Sequence, residues 1–204
     1  MLIRKGNFSI RSSRSTKMKI QKSLYIFLAS ALFLAIPGLT GCSPTHAPTN
    51  LQEDAIEAIR AKLDLPNSPL TFVGMTGMIN SPDGNLEVAL YQDSQGRKYS
   101  VEPKTNQVVE IDARSLLSSI SPSAPALSEE AIKAMAMRFI SAAIPNFENL
   151  QSQWTYEEGG KKDNYFFSWY GEMAPGAMNR PFAQIGLDKT GFLFAYYNTL
   201  LLGK

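Results

Sequence analysis

The stretch VEPKTNQVVEI, residues 101–111, returns in outline as GLDKTGFLFAY, residues 186–196. In each, a Lys-Thr pair followed by Asn106 or Gly191 separates two apolar runs, the pattern of a tight hairpin. Asn and Gly adopt the left-handed backbone most readily, as such a turn demands. The motif therefore reads as structural punctuation, and its recurrence asks how much of the chain is written twice.

Working outward from the first copy, extended segments fall at LTFVGMTGMI (70–79), LEVALYQ (86–92), RKYSVE (97–102) and QVVEID (107–112). The turn clusters SPDGN, DSQG and PKTN separate them, so the segments predict an antiparallel meander. Ahead of them, NLQEDAIEAIRAKLD places Leu51, Ala55, Ile56, Ile59 and Leu63 on a helical stripe that Pro66 ends. Asn50 with Glu53 resembles a capping arrangement for that helix.

Around the second copy the order repeats. SEEAIKAMAMRFISAAI (128–144) is helical, with Ser128 as the expected N-cap and Glu129 and Glu130 at the positive end of the dipole. Glu53, Asp54, Ala55, Ile56 and Ala58 recur 76 residues on as Glu129, Glu130, Ala131, Ile132 and Ala134, and the Lys-Thr turn recurs 85 residues on. Strands are expected at LQSQWTYEE, NYFFSWYG, PFAQIGLD and FLFAYYNTLL. The expected fold is α+β: two related units, 50–114 and 128–204, each one helix packed on an antiparallel sheet of about four strands. A Ser/Pro-rich linker, 115–127, joins them.

The N-terminus reads as an address. Lys19 and Lys22 flank the apolar run LYIFLASALFLAI, broken by Pro37 and Gly38 ahead of LTGC, residues 39–42. That is a secretion signal, too short for the roughly 20 residues of a spanning helix. Met18 offers a second start. LTGC resembles the lipobox of bacterial lipoproteins, which implies cleavage after residue 41, lipid on Cys42 and a short tether at 42–49. The resulting protein would sit on a membrane's non-cytoplasmic face, inner or outer. Seven of the 20 Lys and Arg precede Cys42, while all 18 Asp and Glu follow it, so the exported chain carries a net charge of minus 5. Such a surface argues against nucleic-acid binding. With Cys42 as the only cysteine, the exported part forms no internal disulfide and depends on a packed core.

The helix EDAIEAI, the strand LEVALYQD and the ending GRKYSVEPKTNQVVEI resemble the PepSY family, a module of secreted-peptidase propeptides and envelope proteins. SEEAIKAMA, YFFSWYG and IGLDKTGFLFAYY extend the likeness to the second unit, which departs from it in the loop EMAPGAMNR (172–180) and its density of aromatics. The resemblance implies a non-catalytic module that binds or restrains peptidases or other envelope proteins. It brings no set of functional residues.

The inventory for chemistry is thin. His46, the only histidine, lies in the tether, and one histidine without a free thiol does not assemble a typical zinc site. The pairs Glu53/Asp54 and Glu129/Glu130 sit at helix starts, where the dipole explains them, and Glu157/Glu158 flank a turn. No phosphate cradle is present, and neither catalysis, a cofactor nor a metal is expected. The segment NYFFSWYG alone asks for explanation: in a strand Tyr165, Phe167 and Trp169 point one way, and Phe166, Ser168 and Tyr170 the other. Either the two units stack their sheets and bury the second face, or it is a partner patch, for which Tyr165, Phe167 and Trp169 are the candidate contacts. The expected function is protein binding at the cell envelope. The alternatives are a small-ligand carrier with a cavity between sheet and helix or between units, and a structural assembly protein.

Overall fold

The computed structural model describes residues 49–202, apart from 79–80, 83, 121–123 and 162. The expected signal peptide, Cys42 and His46 lie outside the described residues. The described residues belong to one compact unit, Ser43–Lys204, which holds every core residue among them.

Helix α1 spans Asn50–Lys62 and turns Ile56 and Ile59 inward, as the stripe requires. Thr49, not Asn50, holds its N-cap position, and no side chain bonds there. Helix α2, Glu129–Ala143, is capped as its sequence predicts: the Ala131 N–H donates to Ser128 Oγ at 3.2 Å. The strands are β1 (Leu70–Met78), β2 (Leu86–Asp93), β3 (Lys98–Glu102), β4 (Gln107–Asp112), β5 (Thr155–Lys161), β6 (Asn164–Tyr170), β7 (Phe182–Asp188) and β8 (Leu193–Asn198). Residues 150–153, where the expected strand LQSQWTYEE begins, fall instead in the end of a short helix α3 (Phe147–Leu150) and a 3₁₀ turn (Gln151–Gln153). Left-handed Asn146 (φ 57°) precedes α3, whose Phe147 ring stands edge-on to Trp169 at 5.3 Å.

The expectation of two units, each with its own sheet, is overturned. All eight strands form one antiparallel sheet in the order β1-β2-β3-β4-β8-β7-β6-β5. The last strands of the two meanders pair with each other, Glu110 opposite Tyr197, Ile111 opposite Tyr196 and Asp112 opposite Ala195. Left separate, each meander would expose the unpaired N–H and C=O groups of β4 or β8, and edge-to-edge pairing removes both liabilities. The helices share one face of this sheet, where Ile56 and Leu63 join Ile132, Ile140, Tyr91, Ile185 and Tyr196 in a single core. The sheets therefore do not stack, and the opposite face is not buried between units.

The repeated turn has a physical centre that the motif alone conceals. Glu102, buried before the first turn, accepts from the Lys104 N–H at 3.0 Å, the Thr105 N–H at 2.7 Å and Thr105 Oγ1 at 2.6 Å. Asp188 does the same in the second copy, accepting from the Thr190 N–H and Oγ1 and the Phe192 N–H at 2.9, 2.7 and 2.8 Å. The second turn is one residue shorter, matching the shorter carboxylate side chain. Asn106 and Gly191 take the left-handed conformations, at φ 55° and 86°. Just beyond, Val109 and Phe194 are each the extra residue of a β-bulge, so the local irregularity repeats along with the turn.

Two outcomes are expected. Ile56→Ala removes a fully buried side chain and costs about 2–5 kcal/mol. Because the core is shared, urea midpoints from Trp154 and Trp169 fluorescence, both in the second half, shift together with the far-UV circular dichroism midpoint; separate transitions would contradict a single core. Burial by itself raises the Glu102 carboxyl, but hydrogen bonds from the Thr105 side chain and the Lys104 and Thr105 amides outweigh it and leave it lowered. A lowered carboxyl stabilises the fold above its unfolded value of about 4.3 and loses that contribution as pH falls through the folded value. Glu102→Gln is therefore less stable than the parent at pH 7, with the gap closing below about pH 4; a gap constant from pH 7 to 3 would show that ionisation is irrelevant.

Candidate functional site

Neither helix covers the second face of the sheet, and alternation along β6, β7 and β8 sends aromatic side chains there. Phe166 and Phe194 meet edge-on at 5.3 Å, and Phe194 lies over Gly186, where an added Cβ would come within 2.9 Å of the ring. Towards the other end of the strands, Tyr170, Phe182 and Tyr197 form a ladder with ring centroids 6.1 and 5.9 Å apart. Between them Gln184 Nε2 donates to Ser168 Oγ at 2.8 Å.

Residues 171–181, which link β6 to β7, form the rim. The Met178 N–H donates to the Pro82 carbonyl at 2.8 Å and Asn179 Nδ2 to the Ser81 carbonyl at 2.8 Å, tying this link to the β1–β2 turn of the first half. Met173 and Met178 are 52% and 73% exposed, and the Arg180 guanidinium lies 5.0 Å from the Tyr170 ring centroid. Ladder and rim together enclose an open groove of about 600 Å³. Nearer the first half, Met78, Val88 and Val109 are buried on the same face with Leu86, Tyr197 and Leu202 against them. The groove thus lies open beside a covered part of the same face.

The residues singled out from sequence lie on the other side. Phe167 and Trp169 are 4% and 2% exposed inside the helix-side core, with Tyr165 half-buried against it. Tyr165 and Phe167 line a cleft with Glu129, Glu130, Lys133 and Glu158. There Lys133 pairs with Glu158, which also accepts from the Tyr156 hydroxyl at 2.8 Å. The aromatic groove is built instead from the alternate residues of the same strand. Their signal was present in NYFFSWYG, but the alternation is symmetric, and only the position of α2 distinguishes the two faces.

Sequence reasoning missed a second feature altogether. Asp93, fully buried, is held between Arg97 Nη1 at 3.3 Å and Arg60 Nη2 at 3.4 Å. Its Oδ2 also accepts from the Tyr99 hydroxyl at 3.3 Å, and its Oδ1 from the Gln95 and Arg97 amides at 3.0 and 2.9 Å. Arg60 spends its remaining donors on Tyr99 (Nε, 2.9 Å) and the Ser68 carbonyl (Nη1, 2.8 Å). Arg97 Nε makes no hydrogen bond with any described residue. In a helical stripe Arg60 reads as an exposed end-of-helix cation, and in the DSQG turn Asp93 and Arg97 read as solvated, so only the assembled fold brings them together.

Strand register shows what stands in the equivalent place of the second half. Tyr91 pairs with Tyr99 as Phe167 pairs with Ile185, which sets Asp93 and Arg97 against Trp169 and Ala183. The 76-residue helix offset sets Arg60 against Ala136. One half fills this part of its core with a tryptophan, the other with an ionic cluster.

Among the described residues, no group of three or more His, Cys, Asp and Glu is placed to hold a metal, and no helix is long and apolar enough to cross a membrane. No family model, curated protein or solved structure matches this chain.

Asp93→Asn keeps an acceptor for the turn amides but leaves two buried guanidinium groups without a counter-charge. The expected cost is about 3–5 kcal/mol, read as a lowered urea midpoint. Glu158→Gln, which breaks a half-exposed pair, is expected to cost about 1 kcal/mol or less. Equal effects would show that the buried cluster carries no special electrostatic weight.

Proposed function

We propose that this chain is a lipid-anchored, non-catalytic module of the cell envelope that binds another protein there, a secreted or envelope peptidase being the partner class its PepSY-like motifs imply. The observation that carries this reading is the open groove with an aromatic floor on the helix-free sheet face. Its rim favours a protein segment: methionines reshape around varied side chains, and Arg180 supplies one charge beside Tyr170. The contact surface is accordingly moved from Tyr165, Phe167 and Trp169 to Tyr170, Phe182 and Tyr197. A second reading, a carrier of a small ligand, is favoured by a separate cavity of about 610 Å³ between the end of α1, α2 and the β7–β8 turn.

The localisation half of the reading is tested by Cys42→Ser, which is expected to move the protein from the membrane to the soluble exported fraction; continued membrane association would remove the lipid anchor. The binding half is tested by photo-crosslinking in intact envelopes from position 178, with the same probe in a Met173→Ser/Phe182→Ser variant for comparison. A discrete adduct whose recovery falls about tenfold or more in that variant, as expected when anchoring apolar contacts are lost, supports the groove. An adduct formed equally by both would place the contact elsewhere.

A further inference from the structure

We propose that the cavity beside Arg97 binds an amphipathic carboxylate, a small molecule with one negative charge joined to an apolar body. This rests on the carrier reading above and is independent of the protein-binding groove.

Arg60, Asp93 and Arg97 are each 3% exposed or less, so the cluster encloses two cations and one anion. Arg60 has a partner on each of its three nitrogens, which leaves the spare capacity on Arg97. Arg97 is the member of the cluster that lines the cavity, and its Nε is without a partner among the described residues. A buried donor left unpaired costs free energy, and a buried guanidinium with surplus charge costs more. A carboxylate relieves both, because its two oxygens match the guanidinium fork. Nε is sealed from water, so the incoming group must draw the guanidinium slightly towards the cavity. The Arg97–Asp93 contact, at 3.3 Å, is long for such a bond and leaves room for that movement.

The other half of the molecule carries no charge in the corresponding place. There the equivalent positions are Ala136, Trp169 and Ala183, and the same helix-on-sheet packing forms without ions. Replacing a buried ionic cluster by well-packed apolar groups is commonly neutral or stabilising. The fold therefore does not require the cluster, and a ligand contact accounts for its presence where packing does not.

The cavity, at about 610 Å³, falls within the range of small-molecule sites, and Leu63, Leu65, Leu116, Phe139 and Phe192 give it apolar walls. At its mouth, exposed Arg138 and Asp64 offset each other. The buried Arg97 thus sets the sign of the ligand, and the walls set its hydrocarbon character. The site draws on both halves of the chain, since Leu63 and Arg97 come from the first and Phe139 and Phe192 from the second.

The test is calorimetric titration of residues 43–204 with decanoate below its micellar concentration, alongside decanol as the uncharged chain and decyltrimethylammonium as the opposite charge. Decanoate is expected to bind about tenfold or more tightly than either, the scale of one charge-assisted hydrogen bond. Arg97→Gln is expected to remove that preference. Met135→Trp fills the cavity while leaving Arg60, Asp93 and Arg97 unsubstituted and is expected to abolish binding, so the proposal stays testable if Arg97→Gln does not fold. Equal affinity for decanoate and decanol would overturn the anion site while leaving a carrier of neutral ligands. Failure of every decyl compound to bind would overturn both, and undiminished binding by Met135→Trp would show that the cavity is not the site.

Discussion

The pairing of β4 with β8 is the contact on which the rest of the structure depends. Three residues on each strand meet there, extended by the Ala113 N–H donating to the Phe194 carbonyl at 2.9 Å and Gln107 Nε2 to the Asn198 carbonyl at 3.3 Å. Without it each meander would end in an open apolar edge, and each helix would cover only a small sheet. With it, α1 and α2 lie on one continuous surface and bury Ile56, Leu63, Ile132 and Ile140 in a common core. Each of those side chains contributes about 1.5–3 kcal/mol when fully buried, and none is confined to a local half-domain core.

Fusing the sheets also decides what the surface offers. Had the two halves stacked face to face, the aromatics opposite the helices would have formed an internal layer. Joined edge to edge, they leave that face open to whatever the connecting segments leave uncovered. The segment 171–181, tied to Ser81 and Pro82, and the residues around Leu202 cover part of it. The groove over Tyr170, Phe182 and Tyr197 remains, as does the cavity where the end of α1 meets the closing turn of the second half. Both sites exist because the halves share a sheet.

The two halves share what packing needs and differ in what it does not. Glu102 and Asp188 hold equivalent turns through the same buried carboxylate chemistry, and Val109 and Phe194 occupy equivalent bulges. Those features serve the fold, since they recur wherever the fold recurs. Arg60, Asp93 and Arg97 have no counterpart beyond Ala136, Trp169 and Ala183, and their electrostatic cost is carried by one half alone.

By itself, the sequence determined most of the local structure, though not α3 and the 3₁₀ turn that stand where the fifth strand was expected to begin. The period of apolar residues placed both helices, turn chemistry separated the strands, and the doubled Lys-Thr motif marked two related segments, because helical stripes, alternation and left-handed turns are properties of short stretches. It did not determine how the segments meet. Nothing in residues 107–112 or 193–198 states that these strands pair with each other and not with solvent or another sheet. Nothing in NYFFSWYG states whether α2 covers Trp169 or Tyr170, since a strand with aromatics on both sides is symmetric until a helix docks. The ionic cluster is the extreme case: Arg60, Asp93 and Arg97 stand on α1, at the end of β2 and just before β3, and each is ordinary in its local setting. Only tertiary structure removes them from water together, and it is the loss of water that turns three common charges into a candidate site.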